Sequence, residues 1–136
     1  MNSTVEKYIA ANHFGRFLGM DFTIIQPGHI EYRLPMKKDF LATETGVHGG
    51  LIAAFTDAIL GVAALSAVAD ENKRVATIEF KLNFLKPVFE NDILTGTGRV
   101  IQKGNRLVIA ECEIRNQKNE SVSKATGTFV SYVVES

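Results

Sequence analysis

Asp57 is the residue whose setting first points to chemistry. It is the only ionisable group between Leu51 and Ala69, where every other side chain is apolar, small or a hydroxyl. An isolated carboxylate is costly to bury, so this one must be paired, hydrogen-bonded or kept for a reaction. Two readings stand side by side: a carboxylate satisfied structurally at a subunit interface, or a catalytic group. Directly ahead of the same segment stands Gly46-Val47-His48-Gly49-Gly50. Paired glycines let a backbone approach a ligand closely, and the first N–H groups of a helix lack internal partners. With the helix dipole they form a site for a developing negative charge. The plainer alternative is a loop-to-helix joint in which His48 caps or packs.

Their spacing limits how the two features could cooperate. Asp57 follows His48 by nine residues, about 13 Å along a helix axis. One chain's Asp57 and Gly49 amide are too far apart to hold the same atom. Two chains about a twofold axis could set the carboxylate of one opposite the glycine amides of the other. The expectation is a composite site at a dimer interface.

The elements that must position these groups follow from pattern. Ser3 and Glu6 match a capping box and predict a short helix ending at Gly19. Asp21–Gln26 and His29–Leu34 read as a hairpin about Pro27-Gly28, followed by a polar loop, Lys37–Gly46. Val47 to about Ala69 predicts a helix apolar nearly all round, which belongs inside a domain. Strand-like runs follow at Arg74–Leu85, Ile93–Gln102, Arg106–Asn116 and Ser121–Val134. Alternation is clear where Leu107, Ile109, Glu111 and Glu113 oppose Val108, Ala110, Cys112 and Ile114. The fold expected is α+β: an antiparallel sheet of five or six strands around one central helix. The ends of its own sheet cannot cover such a helix, which argues for a partner subunit.

Bulk properties narrow the function. The 136 residues suit one domain, read as 1–136, with 46% apolar and 22% charged residues. Fifteen basic residues balance fifteen acidic ones, so no global field draws the protein to nucleic acid or an anionic membrane. Cys112 is the only cysteine, which excludes an internal disulfide and reads as a packed thiol. Histidines at 13, 29 and 48 lack metal-ligand spacing. Glu6, Lys7, Asn12 and Arg16 interrupt any N-terminal apolar run, so no signal peptide is read and the cytoplasm is expected. Leu51–Ala69 is about as long as a membrane span, but its alanines, Thr56, Asp57 and Ser66 fit a wrapped helix better.

His48-Gly49-Gly50-Leu51-Ile52-Ala53-Ala54-Phe55-Thr56-Asp57-Ala58 resembles the signature of hotdog-fold thioesterases of the phenylacetate-degradation (PaaI-like) type. Thr77–Val88, with its aromatic, lysine and proline ending, resembles their next strand, and Ala125–Phe129 their closing strand. The likeness runs from about Phe14 to Val133. It implies a hotdog fold and hydrolysis of a fatty or aryl acyl-CoA, with no cofactor beyond the CoA of the substrate. Asp57 would act as general base or nucleophile, and Gly49 N–H as oxyanion donor from the facing subunit. His48 would shape the loop, and Thr77 would help position the attacking water. Gly50, Phe55, Ile59, Phe80 and Phe84 would border the substrate, and Lys86, Lys103, Asn105 and Arg106 would meet CoA phosphates. The resemblance also implies a homodimer, and a tetramer as a dimer of dimers. The pattern departs at Ala42 and Thr45, where relatives commonly carry asparagine and glycine; Thr43, Glu44 or Thr45 could supply the polar contact instead. A non-catalytic acyl-CoA-binding protein is the alternative. A dehydratase fits less well, because it would pair a catalytic histidine with an acid.

Overall fold

A helix with apolar residues on nearly every side needs cover, and the strands provide it. In the computed structural model, which describes residues 2–134, the central helix α3 spans Gly49–Val68. It follows α1 (Ser3–Ala11), α2 (His13–Leu18), β1 (Asp21–Gln26) and β2 (His29–Pro35). After it come β3 (Lys73–Phe84), β4 (Ile93–Lys103), β5 (Leu107–Arg115) and β6 (Ser121–Val133). The six strands form one antiparallel sheet in the order β1-β2-β4-β5-β6-β3. This is the hotdog architecture expected from the sequence. The helix is long and apolar enough to cross a membrane, yet 67% of its most apolar stretch is buried inside the fold.

Alternation does the wrapping. On β5, Val108, Ala110, Cys112 and Ile114 are buried while Glu111 is exposed. Burial pushes the Cys112 thiol up to about 12, so it is inert packing material at neutral pH. Phe55, Ile59, Leu60 and Ala63 of α3 reach the core shared with β2, β4, β5 and β6. Gly96 and Gly98 on β4 let the sheet come close to the helix there. A Cβ at Gly98 would sit 2.9 Å from the Ile59 carbonyl oxygen and 3.2 Å from the Ala63 Cβ. Backbone cannot step aside as a side chain can. Gly98→Ala is therefore expected to cost about 1–3 kcal/mol, read as a lower urea midpoint at unchanged slope.

The strands end within a residue of the sequence reading, and three helix boundaries differ from it. Asn2, not Ser3, caps α1: its Oδ1 accepts from Thr4 N at 2.7 Å and Val5 N at 3.3 Å. The N-terminal run splits at Asn12, whose side chain accepts from Gly15 N and starts α2 afresh. α3 begins at Gly49 rather than Val47, because residues 46 and 47 are held extended. Val47 bridges Leu41 and Gly46 bridges Phe89, and Val47 N donates to the Val88 carbonyl at 2.8 Å. The loop ahead of α3 is thus pinned on both sides.

Candidate active site

The loop just described delivers His48 to the N-cap of α3. Its backbone is extended there (φ −63°, ψ 132°), and its N–H donates to the Phe40 carbonyl. Its ring Nδ1 accepts from Gly50 N at 2.7 Å, which leaves the ring proton on Nε2. That bond satisfies one of the orphan donors of the first turn. Gly49 N–H, by contrast, has no acceptor among the described residues. Gly49 lines a hollow of about 290 Å³ with Ile52, Phe84, Lys86 and Val88. The Phe84 ring lies 3.4 Å from where a Gly49 Cβ would be.

Asp57 faces elsewhere. It is half-buried and lines a cavity of about 310 Å³ with Tyr8 and Ala11 of α1, Gly61 and Leu65 of α3, Arg74 and Thr77 of β3, and Phe129 and Tyr132 of β6. Thr77 Oγ1 donates to Asp57 Oδ1 at 2.7 Å. No cation forms an ion pair with Asp57 among the described residues. Burial raises the pKa of the Tyr8 hydroxyl in the same cavity, and the Asp57 charge adds to the effect. The carboxylate is thus oriented by one hydroxyl while its second oxygen remains available. Thr77→Ala is expected to lower turnover about 10-fold by freeing that carboxylate, whereas Thr77→Ser should keep most of it in the same assay.

Several candidate residues are placed differently from the reading above. Phe55 and Ile59 do not border the Asp57 cavity; both are 0% exposed in the core. Each stands two residues from Asp57, about 200° around the helix. Residues at i+4 and i+8, Gly61 and Leu65, share its face instead. Phe80 is partly buried against the core, and Phe84 is 58% exposed beside Gly49. Gly50 spends its amide on His48. Lys86 pairs with Glu120 at 2.9 Å and Lys103 with Glu71. The Asn105 carbonyl accepts from Lys73, and the Arg106 carbonyl accepts from Ser131 N. Lys86 stands by Gly49, while Lys103 lines a hollow with Ala67 near the other end of α3. Those ends are about 27 Å apart, so one chain does not bring the proposed phosphate ligands together. In the departing loop, Thr43 Oγ1 accepts from Gly46 N at 2.9 Å and Glu44 is exposed. Among the described residues, no group of three His, Cys, Asp or Glu side chains could hold a metal ion.

Tyr8, Ala11, Arg74 and Tyr132 were not among the sequence candidates. Helical spacing from Asp57 could have found Gly61 and Leu65, but these four arrive through long-range packing. Comparison with known proteins places this geometry among others. Residues 45–123 match the family described as the thioesterase superfamily. A Saccharolobus solfataricus protein bearing an esterase name is 30% identical over 124 residues, covering 91% of this chain and 86% of that one. The PaaI protein from the Escherichia coli phenylacetic acid degradation operon superposes with a TM-score of 0.86 at 21% identity, covering 98% and 92% of the two chains. A hypothetical thioesterase of Streptococcus pneumoniae, solved with coenzyme A, superposes at 0.83 with 23% identity, covering 96% and 98%. At these identities the two superpositions speak for the shared fold.

Proposed function

Because the chain belongs to the thioesterase superfamily, we propose that it hydrolyses acyl-CoA thioesters in a site built by two copies, Asp57 from one and the Gly49 amide from the other. The observation that carries this reading is the division of labour within one chain. An oriented carboxylate lines one cavity, and Gly49, whose N–H has no acceptor among the described residues, lines another. Neither half suffices alone.

The edge of the sheet supports a way to join them. β3 pairs with β6 on one side and ends the sheet on the other. Ile78, Phe84 and Leu85 are more than half exposed there, the kind of edge that pairs with another chain. Asp57 is tied to Thr77 toward one end of β3, and Gly49 lies against Phe84 toward the other. Antiparallel pairing of β3 with its own copy would exchange these ends. The carboxylate of one subunit would then meet the amide of its partner. The half-exposed face of α3, with Ala53, Ala54, Ala58 and Gly61, offers small side chains for close approach. The same pairing would set the partner's Lys86 near the site, within reach of a CoA phosphate.

In the proposed reaction the free Asp57 oxygen accepts a proton from water as that water attacks the thioester carbonyl. The carbonyl oxygen gains charge and takes the Gly49 N–H. Collapse of the adduct breaks the carbon–sulfur bond; the proton passes from Asp57 to the leaving sulfur, giving free acid and CoA thiol. The acyl chain lies along α3 from Asp57 past Gly61 to Leu65, about 12 Å. CoA bound to the Streptococcus pneumoniae relative favours CoA as the carrier. Purified protein should release thiol from a panel of short, long and arylacetyl-CoA esters. Binding of these esters without thiol release would reduce the protein to an acyl-CoA-binding shell.

A further inference from the structure

We propose that Arg74 selects acyl groups ending in a second carboxylate, so that the preferred substrates are ω-carboxyacyl thioesters. The proposal rests on the hydrolase reading and extends it to the far end of the acyl cavity. Arg74 lines the same cavity as Asp57. Its Nε is buried and finds no hydrogen-bond acceptor among the described residues, and its guanidinium joins no ion pair among them. Arg74 as a whole is half-buried, but an Nε shut off from water without an acceptor is costly, and it belongs to a residue that lines the cavity.

Position makes the assignment specific. Arg74 precedes Thr77 by three residues on β3, about 10 Å along the strand and on its alternate face, so it joins the cavity lining around the open edge of the sheet. It stands opposite Tyr132 of β6, at the end of the cavity away from the thioester. Between the two ends the lining is apolar: Ala58, Gly61, Leu65, Val75 and Phe129. Methylenes suit that stretch. A plain fatty tail would stop against a guanidinium and leave it desolvated. A terminal carboxylate would accept its N–H groups in pairs, the fork geometry that arginine matches best. Tyr132, half-exposed at the same end, leaves the charged terminus partly hydrated.

The test compares kcat/KM for adipyl-, suberyl- and sebacyl-CoA with that for hexanoyl-, octanoyl- and decanoyl-CoA. The best dicarboxyl ester should exceed its monocarboxyl counterpart by about 10- to 100-fold, and added salt should shrink the ratio. In Arg74→Gln the ratio should fall to near unity, and in Arg74→Lys it should survive in part. Equal hydrolysis of both series by the wild-type protein, or an unchanged ratio in Arg74→Gln, overturns the proposal while leaving Asp57 chemistry intact. Dissociation of the oligomer in Arg74→Gln would assign the guanidinium to the interface instead. Failure to hydrolyse any ester removes the underlying reading, and this one with it.

Discussion

Asp57→Asn is expected to lower kcat on an acyl-CoA by about 10²–10⁴-fold, the scale of a lost general base. The substitution is nearly isosteric, and an asparagine oxygen can still accept from Thr77, which now bonds the carboxylate at 2.7 Å. What disappears is the proton acceptor. Since binding contacts persist, KM should move little and the loss should lie in kcat. Stability should not fall, because a half-buried charge without an ion pair is removed rather than created. Thiol release by steady-state assay, beside a thermal melt, checks both halves. Near-wild-type turnover by folded Asp57→Asn would remove the carboxylate from the mechanism.

The second large effect concerns a backbone group, which side-chain truncation cannot reach. Gly49→Pro deletes the one N–H of the first turn of α3 that has no acceptor among the described residues. Proline suits the first position of a helix, where its missing donor breaks no helical bond. The residue ahead of it must be extended, and His48 already is, with ψ at 132°. A Cβ at this position meets the Phe84 ring at an ordinary contact distance of 3.4 Å. Folding should survive. Turnover should fall by about 10²–10³-fold, as when an oxyanion donor is lost. Gly49→Ala, which keeps the N–H, should retain most of it. Equal losses in the two variants would mean that crowding, not the amide, is responsible.

Much of this was legible in the chain because its signals are local. The lone charge in an apolar helix marked Asp57, and period-two alternation marked β5. The hairpin declared itself through Pro27-Gly28, where Gly28 adopts φ 83°. The rotation of Phe55 and Ile59 away from Asp57 was also within reach, since it follows from 3.6 residues per turn. What escaped depends on distant segments meeting. Tyr8 and Ala11 reach the cavity because α1 packs across it, and Tyr132 because β6 pairs with β3 in one register out of many. The apolar run pointed to Val47 as the start of α3. Only the bridges from residues 46 and 47 to Phe89 and Leu41 move it to Gly49. Lys86 and Lys103 looked alike as turn lysines, yet they stand near opposite ends of the central helix. Local rules assign residues to faces, and tertiary contacts assign faces to sites.

The division of the site between two chains can be tested with the two variants in one oligomer. Asp57→Asn and Gly49→Pro chains, co-expressed with different affinity tags and isolated as a heterodimer, leave one interface site with an intact carboxylate and an intact amide. Each parent homodimer lacks one of them in both sites. If the two subunits share the chemistry, the heterodimer should recover to about half of the wild-type turnover per dimer. A heterodimer as inactive as its parents would contradict that, because a site contained within one chain cannot be rescued by its neighbour.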